Sequence, residues 1–228
     1  NLKINTNLIE ASIPFPNIKI INLGSSCIYP LNSPNPIKEE NFMGGKLEPT
    51  NSPYAMAKLT AIELGRSLHK QYGHEVINLM PTNLYGPNDY FNIEYSHVIP
   101  ELIARMDAAK RNGEDEFNIW GSGTPLREFL FVDDLSHAIE FLIDKKVETD
   151  IINIGSGEEI SINDLAEKIK SIIEYDGKLN FDKSKPDGNP RKLLDSTLIN
   201  NIGWKHITSL DEGLKITYDW FLNNFSNI

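Results

Sequence analysis

Short apolar segments alternate along the chain with longer amphipathic ones, and this alternation is the strongest constraint on the fold. Apolar runs typical of buried strands begin at Ile18 (IKIINL), Val76 (VINLM) and Ile151 (IINI). Each is followed, directly or after a loop, by a stretch whose apolar residues recur every three or four positions. Strands that alternate with helices predict an α/β fold with a parallel sheet, in which ligands bind beyond the carboxyl ends of the strands.

Residues 52–72 carry the clearest helical pattern. Ser52 is expected to cap the helix and Pro53 to be its first residue. A second helix is predicted around Val98 to Lys110. Two further helices are predicted to begin at capping boxes, which pair Ser161 with Asp164 and Ser209 with Glu212.

Tyr54 and Lys58 are four residues apart on the 52–72 helix, so both side chains can face one site. A free tyrosine has a pKa of about 10, and a nearby cation lowers it by favouring the phenolate. Such a pair can move a proton to or from a hydroxyl or carbonyl oxygen. The same spacing also arises by chance, with Tyr54 at a core edge and Lys58 in solvent, so neighbouring residues must decide.

Composition excludes several classes of function. The chain of 228 residues has a formal net charge of −10, which argues against nucleic-acid or anionic-membrane binding. No apolar run approaches the roughly 20 residues that a membrane span needs. We also predict no metal site. The single cysteine, Cys27, cannot form an internal disulfide, so a cytoplasmic location is expected.

Glycine turns give only weak evidence of a dinucleotide site. No G-x-G-x-x-G fingerprint follows a strand, and IGSGEE has two of the three glycines. If the chain is a dinucleotide enzyme, we expect its phosphate loop to precede Asn1. We then expect residues 1–228 alone to bind the cofactor weakly, to lack reductase activity and to be poorly soluble.

Six stretches between Leu23 and Asp195 show a more specific pattern. They are LGSSCIYP, LEPTNSPYAMAK, MPTNLYGPND, SHVIPELI, WGSGTPLREFLFVDDL and SKPDGNPRKLLD. With these stretches the chain resembles the extended short-chain dehydrogenase/reductase superfamily, and within it the GDP-L-fucose synthase family. The resemblance implies a Rossmann-like doubly wound parallel sheet, of which only the later part is present, with a smaller C-terminal α/β substrate domain. It implies NADP(H) as cofactor.

The resemblance implies a reductive site at the ends of the strands. Tyr54 would protonate the C4 oxygen of a keto sugar, Lys58 would lower the pKa of Tyr54 and bond the nicotinamide ribose, and Ser25 would bond the same oxygen. Read alone, Ser25 and Ser26 fit ordinary turn chemistry. The residues expected to contact the cofactor are Leu23, Gly24, Ser25, Ser26, Lys58, Pro81, Thr82, Asn83, Leu84 and His97.

The resemblance also implies epimerisation by Cys27 and His97. Inverting a centre takes a base on one face and an acid on the other, and free thiols and imidazoles have pKa values of about 8.5 and 6.5, which flank neutrality. Seen alone, Cys27 is more simply a small buried hydrophobe and His97 an ordinary core or surface residue.

Positive charge must gather near the diphosphate of a sugar nucleotide. Arg127, Arg191 and Arg105 are the candidates, because a guanidinium can bond phosphate oxygens bidentately; Lys185 and Lys192 add charge. Arg105 is also explained as part of a solvated helix face. The resemblance adds Trp120 to pack against guanine or sugar and Asp187 to accept from a hydroxyl.

These inferences predict an enzyme that converts GDP-4-keto-6-deoxy-D-mannose to GDP-L-fucose by NADPH-dependent 3,5-epimerisation and 4-reduction. Residues 1–85 and 128–154 would form the dinucleotide domain, and residues 86–127 and 155–228 the substrate domain. A homodimer paired through residues 1–12 and 52–72 is expected. The alternatives are another nucleotide-sugar epimerase or dehydratase, or a non-catalytic remnant.

Overall fold

The computed structural model describes residues 1–92 and 96–225 and divides into two compact units. Unit 1 comprises residues 1–82, 135–157 and 193–206, and unit 2 comprises residues 83–134, 158–192 and 207–228. The strands are β1 (Lys19–Leu23), β2 (Glu75–Pro81), β3 (Asn83–Tyr85), β4 (Glu116–Trp120), β5 (Leu126–Phe131), β6 (Ile151–Ile154), β7 (Glu159–Ser161), β8 (Lys178–Asp182) and β9 (Arg191–Lys192). The helices are α1 (Leu2–Ser12), α2 (Ser52–Tyr72), α3 (Val98–Asn112), α4 (Val132–Ile143), α5 (Ile162–Ile173), α6 (Thr197–Asn201) and α7 (Leu210–Phe225).

Unit 1 is built on a parallel sheet of order β1-β2-β6. Ile21 pairs with Ile77, and Leu79 pairs with Ile152 on the other side of β2. Since β2 lies between two strands, its residues Ile77, Leu79 and Met80 are almost entirely buried. The carboxyl ends of the three strands lie side by side, which is where ligands bind in sheets of this kind.

Three asparagines interrupt the apolar strands of unit 1, and each finds a polar partner. The Asn22 amide donates to Asn78 Oδ1 over 2.8 Å, and the Asn78 amide donates to the Asp150 carbonyl over 3.0 Å. Asn78 and Asn153 are completely buried. Because a buried amide without partners would cost stability, these bonds explain how polar residues are tolerated between the strands.

Unit 2 combines a small mixed sheet with a second parallel pair. β5 pairs in parallel with β3 and β9 and antiparallel with β7, while β4 pairs in parallel with β8. Helices α3, α5 and α7 supply most of the apolar core. Tyr85 on β3 and Phe131 on β5 meet edge to face in this core, with ring centroids 5.7 Å apart.

The predicted fold class is confirmed: the chain is an α/β protein whose helices alternate with largely parallel strands. The serine half of each predicted capping box forms, since the Asp164 and Glu212 amides donate to Ser161 Oγ and Ser209 Oγ over 3.0 and 3.3 Å. The predicted cap of α2 is wrong. Asn51 is the N-cap, because a turn closed by the Glu48 carboxylate makes Ser52 the first helical residue.

The predicted domain division and the two units differ in four segments, residues 83–85, 128–134, 155–157 and 193–206, of which the last is the longest. The division assigned all of residues 155–228 to the substrate domain, whereas residues 193–206 belong to unit 1. The bridge between Ile37 and Leu194 joins this segment to the loop that follows β1. Residues 93–95 and 226–228 of the predicted substrate domain lie outside the described residues, and the ligand assigned to each domain stays a prediction.

Within residues 1–92 and 96–225, no helix has both the length and the apolar character needed to cross a membrane.

Gly213 provides a test of the packing of α7. A Cβ at this position would lie 2.2 Å from Tyr85 Oη and 3.0 Å from a Phe131 ring carbon. Alanine normally favours a helix over glycine, but here it must displace two buried rings. We therefore expect Gly213→Ala to lower the free energy of unfolding by about 1–3 kcal/mol in urea titrations. Asn223→Ala, at an exposed position of the same helix, is the control; equal stability of the two variants would contradict this packing.

Candidate active site

The turn after β1 carries two of the predicted catalytic residues. The Gly24 amide donates to the Leu79 carbonyl over 2.8 Å, and a Cβ on Gly24 would lie 2.4 Å from Met80 Cε. A side chain here would force Met80 to move and would lie 3.0 Å from the Leu79 carbonyl oxygen, so glycine favours this close approach to β2. Ser25 then caps a 3₁₀ turn over Ser26–Ile28, and its Oγ accepts from the Cys27 amide over 3.2 Å. We call residues Gly24–Tyr29 the catalytic turn.

Helix α2 brings Tyr54 and Lys58 to the same place. The Lys58 ammonium donates to the Leu23 carbonyl over 2.6 Å, and so contacts the last residue of β1. The same nitrogen lies 5.8 Å from the centroid of the Tyr54 ring. Tyr54 is 39% exposed, and its phenol is hydrogen-bonded to the Ser25 hydroxyl. The structure thus brings Ser25, Tyr54 and Lys58 together, as the sequence predicts for a proton-transfer site.

The pKa of Tyr54 departs from the sequence-based expectation. Burial raises it above the ordinary value, the Ser25 bond lowers it by less, and the charge of Cys27 adds to the rise. Burial also lowers the pKa of Lys58. At neutral pH the phenol is therefore protonated and able to act as an acid.

The predicted cofactor residues of unit 1 surround the carboxyl ends of β1 and β2. The Leu23 side chain is 40% exposed, whereas Ser26 and Thr82 are buried. Pro81 ends β2, and the Thr82 amide donates to the Ile154 carbonyl over 2.9 Å. These residues lie at the ends of the strands, next to the Lys58 ammonium and the Ser25 and Tyr54 hydroxyls. Such a donor set fits the nicotinamide-ribose end of a dinucleotide.

The remaining predicted cofactor residues belong to unit 2. Asn83 and Leu84 lie on β3, where they pair with Phe129 and Leu130, and the Asn83 amide donates to the Glu128 carbonyl over 2.8 Å. His97 is the N-cap of α3, and its carbonyl accepts from the Glu101 amide over 3.0 Å. The His97 side chain is exposed and makes no capping bond, which leaves the imidazole available to a ligand.

Asp187 closes a turn in unit 2. Its carboxylate accepts from the Ser122 amide over 2.6 Å and from the Ser122 hydroxyl over 2.8 Å. Gly121 makes this possible, because its φ is +88° and a Cβ there would lie 2.5 Å from Asp187 Oδ1. The pKa of Asp187 is lowered, first by the Ser122 amide, then by its hydroxyl, and by the charge of Arg127.

Cationic and aromatic side chains lie around this turn. Lys185 is 5.5 Å from the centroid of the Trp120 ring, which is 68% exposed at the end of β4. Arg127 is half-buried on β5, and burial lowers its pKa while Asp187 raises it. Arg191, on the adjacent β9, donates from Nε to Glu159 over 2.8 Å. Four of the five predicted substrate residues therefore belong to neighbouring segments of unit 2.

Arg105, the fifth, has contacts that explain it without a substrate. It forms an ion pair with Glu101 one turn earlier on α3, and it donates to the Asn118 carbonyl over 2.6 Å. Its guanidinium also lies 4.9 Å from the centroid of the Phe117 ring. These contacts join α3 to β4, so the substrate role of Arg105 stays a prediction.

Two residues that orient this cluster were missed by the sequence analysis. Ser122 holds Asp187 through two hydrogen bonds. Glu159 orients Arg191 by accepting from its Nε. The usable signal at Ser122 was that GSGTP lies directly before the strand that carries Arg127, whereas no local signal links Glu159 to Arg191.

Comparison with known proteins agrees with this geometry. The family model described as the NAD dependent epimerase/dehydratase family matches residues 1–155. The chain is 48% identical over 227 residues to GDP-L-fucose synthase 1 of Arabidopsis thaliana, which covers 100% of this chain and 70% of that protein. It is 45% identical over 233 residues to the GDP-L-fucose synthase of Escherichia coli K12. That match covers 98% of this chain and 73% of the relative.

The chain belongs to the GDP-L-fucose synthase family. A solved structure agrees: a GDP-L-fucose synthetase from Naegleria fowleri bound to NADP superposes with a TM-score of 0.90 at 31% identity, over 99% of this chain and 72% of that one. The match to this family covers both units. It therefore includes Ser25, Tyr54 and Lys58 of unit 1 as well as Arg127 and Arg191 of unit 2. No group of three or more His, Cys, Asp or Glu among the described residues could hold a metal ion.

The hydrogen bonds to Asp187 predict a measurable titration. Ser122→Ala removes the hydroxyl and keeps the amide, so the pKa of Asp187 should rise yet stay below its ordinary value. The hydrogen bonds from Ser122 to the Asp187 carboxylate are formed at neutral pH. They are lost as the pH falls through the lowered pKa that Asp187 has in the folded protein. Carbon-13 NMR of aspartate carboxyls measures this value. Ser184→Ala is the control, since Ser184 bonds Asp182 instead; an unchanged Asp187 pKa in Ser122→Ala would contradict the geometry.

Proposed function

We propose that the protein catalyses NADPH-dependent 3,5-epimerisation and 4-reduction of GDP-4-keto-6-deoxy-D-mannose to GDP-L-fucose; that residues 1–228 alone lack reductase activity stays a prediction. The observation that carries this proposal is the catalytic turn: Ser25, bonded to the Tyr54 phenol, lies two residues before Cys27. The turn thus supplies a thiol suited to epimerisation and the Ser25 hydroxyl, which forms with Tyr54 of α2 a pair suited to reduction. The relatives named GDP-L-fucose synthase, which are 45–48% identical to the chain, support the same reaction.

Tyr54 is the proton donor in the reductive step. Its pKa is raised by burial, so the proton is present at neutral pH and can pass to the C4 oxygen. The Ser25 hydroxyl bonds that oxygen and, through its bond to the phenol, stabilises the phenolate that remains. Lys58 is fixed by the Leu23 carbonyl at the end of β1, where an ammonium can bond the hydroxyls of a ribose. Bound NADPH supplies the hydride that C4 receives.

Cys27 and His97 are the acid–base pair of the epimerisation. Protons at C3 and C5 are acidified by the C4 ketone, and each inversion needs a base and an acid on opposite faces of the sugar. The Cys27 thiol is half-buried in unit 1, and the exposed His97 imidazole belongs to unit 2. Other nucleotide-sugar epimerases or dehydratases would share Tyr54 and Lys58, so the combination of Cys27 with His97 is what favours this reaction over theirs.

Unit 2 binds the sugar nucleotide. Arg127 and Arg191 supply charge for the diphosphate, and a half-buried guanidinium is screened less by water than one on the surface. The exposed Trp120 ring offers a stacking surface for guanine or sugar. Asp187 stays ionised because Ser122 lowers its pKa, so it can accept from a hydroxyl.

The enzyme is proposed to act as a cytoplasmic homodimer. Helices α1 and α2 of unit 1 pack together, and they expose apolar side chains that a partner copy could cover. Leu8 on α1 is 65% exposed and Met56 on α2 is 51% exposed. The cytoplasmic location rests on the single cysteine.

Replacing Tyr54 tests the reductive step. Tyr54→Phe removes the proton donor and should abolish reduction, while proton exchange at C3 and C5 remains detectable. Tyr72→Phe, an exposed tyrosine at the end of the same helix, should retain both activities. NADPH absorbance follows reduction, and NMR in deuterated water follows exchange. Equal loss of both activities in Tyr54→Phe would show that the phenol is not specifically the reductive acid.

Replacing Cys27 or His97 tests the epimerisation. Cys27→Ser and His97→Gln should slow deuterium incorporation at C3 and C5 by about 10²–10⁴-fold, the usual contribution of a general acid or base. Hydride transfer to a pre-epimerised ketone should fall far less. Incorporation within about threefold of wild type in both variants would overturn this assignment.

Light scattering tests the dimer. The chain has a mass of 25.8 kDa, and we expect a particle of about twice that mass. Leu8→Glu should shift the equilibrium toward the monomer, because it places a charge on the apolar face of α1. Ile216→Glu, an exposed apolar residue of α7 in unit 2, should leave the mass unchanged. A wild-type monomer at high concentration would contradict the proposed assembly.

A further inference from the structure

The last residue of the catalytic turn is held by a buried hydrogen bond. Tyr29 is only 4% exposed, and its hydroxyl donates to Asn153 Oδ1 over 2.6 Å. Asn153 lies on β6 and is completely buried. Burial and the charge of Glu39 raise the pKa of Tyr29 beyond its ordinary range, so the hydroxyl is a permanent donor.

The orientation of the Asn153 amide is fixed by its other contacts. Its Nδ2 donates to the Ile37 carbonyl over 2.9 Å and to the Asp195 carbonyl over 3.2 Å. Only an amide nitrogen can satisfy two carbonyls, so Oδ1 must face Tyr29. The Asn153 backbone amide also donates to Glu39 Oε1 over 3.0 Å. Asn153 therefore joins three segments to β6: the catalytic turn, the loop that follows it and the segment around Asp195.

The opposite end of the catalytic turn is held by β2. The Gly24 amide bonds the Leu79 carbonyl, so Ser25 and Cys27 lie between an attachment to β2 and an attachment to β6. A single 3₁₀ turn has poor hydrogen-bond geometry and little stability of its own. Its position must come from these two attachments and from the packing of Ile28 and Tyr29 in the core.

We propose that Tyr29 and Asn153 are positioning residues that hold Cys27 in its reactive geometry. The proposal rests on the function proposed above, in which Cys27 and Ser25 react with the sugar. Tyr29 touches neither the sugar nor the cofactor in this role, and acts through the backbone of the catalytic turn. We call the hydrogen bond between the Tyr29 hydroxyl and Asn153 Oδ1 the tether. Because Tyr54 and Lys58 are on α2, loss of the tether should slow the Cys27-dependent reaction more than the Tyr54-dependent one.

Alkylation of Cys27 tests the tether without requiring catalysis. Iodoacetamide modification is followed by mass spectrometry of the peptide that contains Cys27. Tyr29→Phe keeps the ring and removes the tether, so the turn should open more often and the rate should rise about fivefold. Tyr175→Phe is a matched control, because Tyr175 is also 4% exposed and its hydroxyl donates to a single acceptor, the Glu114 carbonyl, over 2.8 Å. A Tyr29→Phe rate less than about twofold above this control would overturn the proposal.

The ratio of the two activities separates positioning from simple loss of folded protein. A smaller folded fraction lowers deuterium exchange at C3 and C5 and hydride transfer to a pre-epimerised ketone equally. Displacement of Cys27 should instead lower the ratio of exchange to hydride transfer about tenfold in Tyr29→Phe. The ratio should be unchanged in Tyr175→Phe, and an unchanged ratio in Tyr29→Phe would overturn the proposal. Wild-type protein without either activity would overturn the proposed function instead, while alkylation would still decide the tether.

Discussion

The parallel pairing of β2 with both β1 and β6 is the constraint on which the candidate site depends. This pairing sets the carboxyl ends of the three strands side by side, so that Leu23 and Pro81 end at the same edge of the sheet. The Leu23 carbonyl then lies where Lys58 can reach it from α2. The catalytic turn leaves the same edge and is fastened to β2 and β6. Helix, turn and strand are thus fixed relative to one another within unit 1.

This arrangement explains why the phenol and not the phenolate is the resting form of Tyr54. Burial disfavours the charged phenolate, and this is the largest influence on the pKa of Tyr54. The charge of Cys27 raises the pKa of Tyr54 as well. A thiolate at Cys27 therefore helps to keep Tyr54 protonated.

Much of the fold followed from local patterns in the sequence. The strand at Val76, the helix at Ser52 and both capping boxes were predicted because apolar spacing and caps act over a few residues. The cap of α2 was not, because the Glu48 carboxylate closes a turn that shifts the start of the helix by one residue. The strand β9 was not predicted either. Two residues are too few to show a periodic pattern, and the strand is defined only by its pairing with β5.

The candidate site was predictable in part for the same reason. Tyr54 and Lys58 are one helical turn apart, so their proximity is local. The bonds from Ser122 to Asp187 and from Tyr29 to Asn153 span 65 and 124 residues, and no local pattern reports them. An unused signal was present at Asn153, because an amide within the apolar run IINI must find partners if it is buried.

The most direct test of the proposed activity is the isotope pattern of its product. The keto sugar nucleotide is converted in deuterated water with NADPH that carries deuterium at the transferred position, and the product is analysed by NMR. The account predicts deuterium from the solvent at C3 and C5 and deuterium from the cofactor at C4 of the same molecule. A product labelled at C4 alone would contradict the account, because reduction would then proceed without epimerisation by Cys27 and His97.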